Sequence, residues 1–504
     1  MAESPTEPLN PPAEVPAKTE SPAQRRARLL RQGGKVFLAS LGCWVMGSMF
    51  TFPSVVATDL LHSNTTIYGT PISFGNSLDM LGSLVQLGSL PGAWAVAGLA
   101  VVLGRRYSMM ISGSVAFLAW LGVGLSPSSV GVLVSRAVSG MAMGGLTVVV
   151  NIYAIELADP DVRGMMGMML NLGIMAGQLV TVSVGYDTRY FVVALVDALI
   201  PAIFFLALIW LPESPSFLVL KGRDEEARKV IRQLRGEHIN VNEEIQNYRA
   251  MNEGREGRSM WRGLVQPRVL KNLGIVSMLF VIVFFSGFFI VNANASRMFK
   301  AAGSTIDANL AAIIINIVQL IGGFIGFLFA DKLGRKGLLY TGLSLMFISL
   351  TGLATYVGLT ESDSGDGFSE KQTDDLLGNA TATLSTSAFP NEQTDDLIDS
   401  SVVPKHGWIP LACLIVCQFG AAFGVNAIPF ILSTEYFPTW IRAQASGICF
   451  SVYTAASFSA LQLYTPMREG LTQAGLYGFY ACVSAVGIPF TYFFITETSG
   501  QQVG

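Results

Sequence analysis

Two sets of charged residues recur along this 504-residue chain at one spacing. Leu103-Gly104-Arg105-Arg106 is echoed by Leu333-Gly334-Arg335-Lys336, and Glu156…Arg163 by Glu435…Arg442, seven residues apart in both copies. Glu213 and Asp331 add carboxylates to the same two neighbourhoods. Carboxylate and guanidinium at this spacing do reversible chemistry, making and breaking charge-assisted hydrogen bonds. Arg105, Arg106, Arg163, Arg335 and Arg442 are expected to meet Glu156, Glu213 and Glu435 only when the helix ends that carry them come together. They would then hold one of two arrangements and release in the other. The blander reading is that the arginines only mark which side of a membrane they face. Bond-making chemistry has no support: the chain has 3 His, no nucleophile–base pair and no metal-ligand cluster. Neither an enzyme, nor a cofactor, nor a metal is expected.

A second set is neutral and sits inside apolar runs: Asn171, Gln178, Asn292, Asn294, Asn316, Gln319, Asn426 and Tyr453. Amides and phenols both donate and accept, and they suit an uncharged, hydroxyl-rich solute. Their alternative role is helix–helix bonding, at about 0.6 kcal/mol each. Asn292 and Asn294 are two apart and cannot share one helix face. Arg136 and Asp197 are charges within apolar runs, and an intramembrane acid marks an ion route or a buried pair. Asp197 is expected to be neutral or paired with Arg136. The first apolar run, Phe37 to Val56, carries no carboxylate.

The elements that position these groups follow from composition. Half the chain is hydrophobic (51%) and only 13% is charged, about half the charge of a soluble protein. Runs of about 20 apolar residues, enough to cross ~30 Å of hydrocarbon, fall at 36–58, 80–102, 107–126, 130–155, 164–186 and 190–211. They resume at 272–296, 308–330, 337–359, 407–432, 443–465 and 473–495. In lipid such runs are helices, because the backbone has only itself to bond. The expectation is an all-α membrane protein of twelve transmembrane helices in two six-helix pseudo-repeats, residues 36–211 and 272–495. Residues 1–35 read as a disordered cytoplasmic N-terminus, 212–271 as a cytoplasmic helical loop and 496–504 as a cytoplasmic tail. Residues 360–404, acidic and rich in Ser and Thr, read as a disordered external insertion into the second repeat. Lys and Arg gather in the segments this scheme puts inside the cell. The sequons at Asn64 and Asn379 fall outside. The 5 cysteines all lie in apolar runs, which argues against a disulfide framework. Net charge is −3, with no patch of nucleic-acid type; the partners expected are the bilayer and a small solute, with oligomeric state left open.

These residues also carry a resemblance to the sugar-porter family of major facilitators. Asp331-Lys-Leu-Gly334-Arg335-Lys336, Pro212-Glu213-Ser214-Pro215, Arg136…Gly140…Gly144 with Tyr153, Glu156 and Arg163, and Glu435…Pro438…Arg442 resemble that family's signatures in order, from about residue 36 to 500. The run Phe299 to Asp307 is similar to that of insect facilitated trehalose transporters. The resemblance implies a facilitative carrier of a sugar, trehalose or a hexose, cycling by alternating access in the plasma membrane, with solute held at the midplane. By the same resemblance Asn171 stands where a Gln is usual and Gln319 where an Asn is usual. On the seventh helix the family's amides are replaced by Val283, Phe284 and Phe289 around Ser286-Gly287. On the tenth, Asn426-Ala427-Ile428-Pro429-Phe430 stands for Gly-Pro-Ile-Pro-Trp. Other readings are the same machine for a less polar organic solute, which the phenylalanines favour, and a non-transporting membrane sensor.

Topology gives the first prediction. Replacing both Asn64 and Asn379 with Gln should abolish the endoglycosidase-sensitive mass shift of the expressed protein. Labelling of a tag near Asp395 from the cytoplasmic side would overturn the helix count.

Overall fold

In the computed structural model the described residues are 22–74, 79–159, 163–236, 240–253, 263–292, 308–363, 408–437 and 441–497. Among them, eleven helices are long and apolar enough to cross a membrane. A twelfth, Arg442–Gln462, has the length but more Ser, Thr and Ala. It is shielded on both sides by protein, so it does not need the same hydropathy.

The first half is α1 (Pro22–His62), α2 (Met80–Val102), α3 (Arg105–Gly124), α4 (Ser129–Leu157), α5 (Arg163–Val184), and a sixth span in two pieces, α6 (Tyr190–Asp197) and α7 (Leu199–Trp210). Three short helices follow: α8 (Pro215–Leu220), α9 (Asp224–Arg235) and α10 (Val241–Glu253). The second half begins with α11 (Pro267–Phe285) and a stub at 288–292. Next is α12 (Ala308–Asp363), two spans joined at Gly334. A tenth span follows as α13 (Ile409–Gly420), a π turn (Ala421–Val425) and α14 (Ile428–Glu435), then α15 (Arg442–Gln462) and α16 (Tyr464–Phe494). Two hydrophobic cores form, one almost wholly from residues 36–245 and one almost wholly from 264–495. Phe50 packs against both.

The halves meet where α2 packs on α15 and α5 on α12. One end of the bundle carries α8–α10 and the Gly-Arg turns; we call it the basic end and its opposite the far end. Three hydrogen bonds from half to half lie toward the far end. Thr465 donates to Asp79 at 2.5 Å, Ser83 to Gln462 at 3.1 Å, and Asn309 to the Tyr186 carbonyl at 3.1 Å. These bonds join the halves at the far end.

Three spans are broken near mid-length, each for a local reason. Pro201 has no N–H to return to the carbonyl of Asp197, and the sixth span breaks at Ala198. The seventh breaks at Ser286-Gly287, where Gly287 has φ 88° and any side chain would strike Tyr480. The tenth is locally under-wound, its Asn426 N–H donating five residues back to Ala421 at 3.0 Å, and π turns of this kind gather at functional sites.

Some boundaries differ from the sequence reading. Residues 22–35 are helical rather than disordered, continuing α1 without interruption. Their Arg28 and Gln32 side chains reach Asp159 at 2.7 and 2.9 Å, and Arg235 reaches it from α9 at 2.8 Å. That shared carboxylate gives the extension and the 224–253 helices a seat on the first half. Residues 360–363 still belong to α12, and the seventh span starts at Pro267, where proline suits the first helical turn. Most of the insertion, including Asn379, lies outside the described residues, as do residues 1–21, Asn294 and the end of the tail. Asn64 is exposed, while Thr66 of its sequon is buried against Thr70. Of the cysteines, Cys43, Cys417 and Cys449 are buried packing residues but Cys482 is exposed.

Candidate functional site

At the basic end the two halves build one device twice. Gly104 and Gly334 take φ 99° and 71°, turning the chain into the next helix, a conformation that costs other residues strain. Each turn delivers the first N–H groups of a helix to a carboxylate, where the helix dipole also favours negative charge. Glu213 accepts from Arg105 N–H at 2.9 Å and Arg106 N–H at 3.2 Å. Glu497 accepts from Arg335 N–H at 3.0 Å and Lys336 N–H at 3.1 Å. The basic side chains then reach carbonyls at the ends of the last span of their half: Arg106 to Leu208 and Ile209, Lys336 to Tyr492. Arg105 forks onto Glu156 at 2.9 and 2.8 Å, and Arg335 meets Glu435 at 3.4 Å. Burial pushes the Glu213 carboxyl above its usual range, opposed by the N–H groups of Ser214, Arg106 and Arg105 and by the Arg105 charge.

This corrects the gating expectation in one respect. The ion pairs Arg105–Glu156 and Arg335–Glu435 run inside each half, not across it. The reason is geometric: a Gly-Arg turn lies beside the end of the next-but-one helix of its own repeat, nearer than anything in the other half. The side chains of Arg163, Asp331 and Arg442 lie outside the described set. Glu497 escaped the sequence reading, although Thr496-Glu497 occupies in the second half the place of Pro212-Glu213 in the first.

Between the halves the second candidate set assembles in part. Phe284, Phe289, Phe430 and Tyr453 join one aromatic cluster, with Phe284–Tyr453 centroids at 4.8 Å, Phe430–Tyr453 at 5.3 Å and Phe284–Phe289 at 5.3 Å. Phe280 and Phe450 extend it, and Phe50 joins it from the first half through an edge contact with Phe289 at 5.1 Å. Asn426 donates to Asn171 across the halves at 3.3 Å. Gln319 donates to Gln418 at 2.6 Å, a partner the sequence did not single out because nothing in its spacing marks it. Buried amide atoms remain without partners: Asn171 Nδ2, Gln178 Oε1, both amide atoms of Asn292, Asn316 Oδ1 and Gln319 Oε1. Leaving such a group unmatched costs about 1–3 kcal/mol, so each of these atoms calls for a partner from outside the protein, water or solute.

Arg136 and Asp197 do not form the expected ion pair. The guanidinium donates to the backbone carbonyls of Leu81 at 2.9 Å and Met49 at 2.7 Å, and lies over the rings of Phe52 and Trp120. Asp197 instead accepts from Thr181 at 3.0 Å to each oxygen. Each group serves its own locality: the arginine ties α4 to α1 and α2, and the acid ties the broken sixth span to α5.

Two packed six-helix halves, repeated end straps and a polar seam between broken helices define a multi-pass membrane transporter. A family model described as "Sugar (and other) transporter" matches residues 33–370 and 377–503, and the chain belongs to that family. Among curated relatives, the facilitated trehalose transporter Tret1 of Bombyx mori is 27% identical over 471 residues, covering 93% of this chain and 84% of its own. The Tret1 of Apis mellifera ligustica is 27% identical over 463 residues, covering 90% and 83%. Among solved structures, the partially occluded inward-open xylose transporter XylE of E. coli superposes with a TM-score of 0.70 at 19% identity, covering 94% of this chain and 99% of that one. XylE bound to 6-bromo-6-deoxy-D-glucose, described as a major facilitator, gives 0.71 at 19% identity, covering 94% and 97%. The architecture is thus the major facilitator fold of twelve helices.

The unequal straps yield a prediction. Lysine cannot fork onto a carboxylate, so Arg105→Lys should lower the thermal stability of the purified protein more than Arg335→Lys, whose contact with Glu435 is longer, at 3.4 Å. The first should cost about 1–3 kcal/mol. Equal shifts in a melting assay in detergent would show that the fork contributes nothing.

Proposed function

We propose that the chain is a facilitative carrier of a sugar, trehalose or a hexose, working by alternating access about the seam between its halves. The observation that carries this reading is the set of buried, unpartnered amide atoms on α5, α12 and the 288–292 stub. They are neutral and offer both donors and acceptors, the complement of a polyol without charge. The family and the names of the insect relatives support the same substrate class. Gln178, Asn292 and Gln319 act as solute ligands, and the cross-half bond of Asn426 to Asn171 exchanges for solute during the cycle. Phe284, Phe289, Phe430 and Tyr453 form an apolar wall beside them. The basic end faces the cytoplasm, together with both termini, and the site of action is the plasma membrane. The straps at Arg105, Glu156, Glu213, Arg335 and Glu435 act as gating elements by keeping each half rigid while the halves rock.

Uniport rather than proton symport follows from how the acids are engaged. The acid near the far end of α1, Asp59, is bonded to Arg189 at 2.8 Å, and Asp197 is bonded to Thr181 away from the aromatic cluster. The aromatic cluster favours a second reading, a carrier for a less polar organic solute.

Uptake into proteoliposomes decides between them. Radiolabelled trehalose or glucose should equilibrate across the membrane at the same rate with and without a pH gradient. Accumulation only under an inward proton gradient would refute uniport. Uptake of an aryl glycoside or another amphipathic solute, with neither sugar transported, would establish the second reading.

A further inference from the structure

We propose that Gln418 is a positioning residue: it ties the amide of Gln319 to the stub of the seventh span, and through it to the aromatic contact that joins the two halves. The proposal deepens the sugar reading and rests on it for the identity of the ligand, though not for the tether itself.

The direction of the hydrogen-bond chain is fixed by its last member. Gln418 Nε2 donates to the backbone carbonyl of Phe288 at 3.1 Å. A carbonyl only accepts, so the amide of Gln418 must present nitrogen there and oxygen at its other corner. That oxygen accepts from Gln319 Nε2 at 2.6 Å. Gln319 is then oriented too, with one Nε2 hydrogen given to Gln418 and Oε1 left as an acceptor without a protein partner. Both side chains are fully buried. The end of the hydrogen-bond chain is thus a buried acceptor, and the chemistry that satisfies it is a donor such as a hydroxyl.

The other terminus is mechanically placed. Phe288 is the first residue of the 288–292 stub, immediately after the break at Gly287. Its neighbour Phe289 touches Phe284 in its own half and Phe50 in the other. The turn at Ser286-Gly287 interrupts the seventh span, and the Gln418 bond adds a side-chain tie to the segment beyond it. A hydroxyl donating to Gln319 Oε1 polarises that amide and makes its N–H a stronger donor, and successive hydrogen bonds strengthen one another in this way. Occupation of the acceptor therefore tightens the hold on the stub and on the Phe289–Phe50 contact. Gln319 senses solute, Gln418 passes the effect on, and the stub responds.

The tether is tested without sugar, and the coupling with it. In full-length protein with its native cysteines replaced, Ile290→Cys places a buried thiol on the stub, and its rate of reaction with a small maleimide reports the stub's release. Gln418→Met should raise that rate at least several-fold, whereas Gln319→Met, which leaves the Phe288 bond in place, should not change it. Gln418→Leu likewise leaves Phe288 without a side-chain donor; it should behave like Gln418→Met and serves if the latter fails to fold. Unchanged labelling in a folded Gln418 variant overturns the tether. With trehalose or glucose present, the parent should be protected from labelling, and protection should be lost in both Gln319→Met and Gln418→Met. Protection that persists in Gln418→Met overturns the coupling. If neither sugar protects the parent, the sugar reading has failed, while the sugar-free comparison still decides the tether. In transport, Gln319→Met should raise KM, and Gln418→Met should lower the maximal rate more than it raises KM; a pure KM effect in Gln418→Met would make it an ordinary ligand and contradict the positioning role.

Discussion

Hydrocarbon offers no hydrogen-bonding partner, so every backbone group that a broken helix releases must find one within the protein. The polar side chains of this chain are placed largely by that constraint. Gln418 meets the carbonyl of Phe288 just past the break in the seventh span, and Arg136 bonds carbonyls of Leu81 and Met49. Glu213 and Glu497 meet helix-initiating N–H groups at the basic end. A break satisfied by a side chain is also a break that a side chain can control, because one hydrogen bond exchanged for another changes the geometry at small net cost. In the seventh span the break falls where a buried amide can meet it.

The same bookkeeping of partners separates what is rigid from what moves. Each half has its own apolar core and its own strap, in which a Gly-Arg turn, a glutamate after the last span and a glutamate at the end of the fourth or tenth span hold three helix ends together. In the first half, Asp159 adds the N-terminal extension of α1 and α9 to that body. Between the halves the contacts are fewer in kind: single hydrogen bonds such as Asn426–Asn171 and Ser83–Gln462, and the Phe50–Phe289 edge contact. Bonds of that sort exchange readily. The proposed cycle accordingly places motion at the seam and rigidity in the straps.

How far the sequence carries this account depends on whether a residue's role is written in a pattern. Spans are legible because lipid demands long apolar helices, and the repeat is legible because Gly104-Arg105 and Gly334-Arg335 recur beside glutamates at one spacing. What those pairs hold is not legible: the sequence cannot say whether Arg105 reaches a glutamate of its own half or of the other. Arg136 and Asp197 look like partners because each is a lone charge in an apolar run, yet backbone carbonyls and a threonine hydroxyl satisfy them locally. The clustering of Phe284, Phe289, Phe430 and Tyr453 could be expected from the substitutions on the seventh and tenth helices. Gln418 could not, since a solitary amide in an apolar run acquires meaning only when a helix breaks opposite it. Residues 22–35 show the converse. Their composition carries no apolar signal for a span, and it is Asp159, more than a hundred residues away, that holds their helix in place.

The central claim is that each half moves as one body and that the cycle is confined to the seam. Spin-label distances between introduced cysteines test it directly. Lys221 and Tyr107 lie on the basic end of the first half, and Lys332 on that of the second; all three are exposed. On adding the transported solute, the Lys221–Lys332 distance distribution should shift by several ångströms while the Lys221–Tyr107 distribution stays as it was. A Lys221–Tyr107 shift as large as the one between halves would contradict the account, because the straps would then be opening rather than holding.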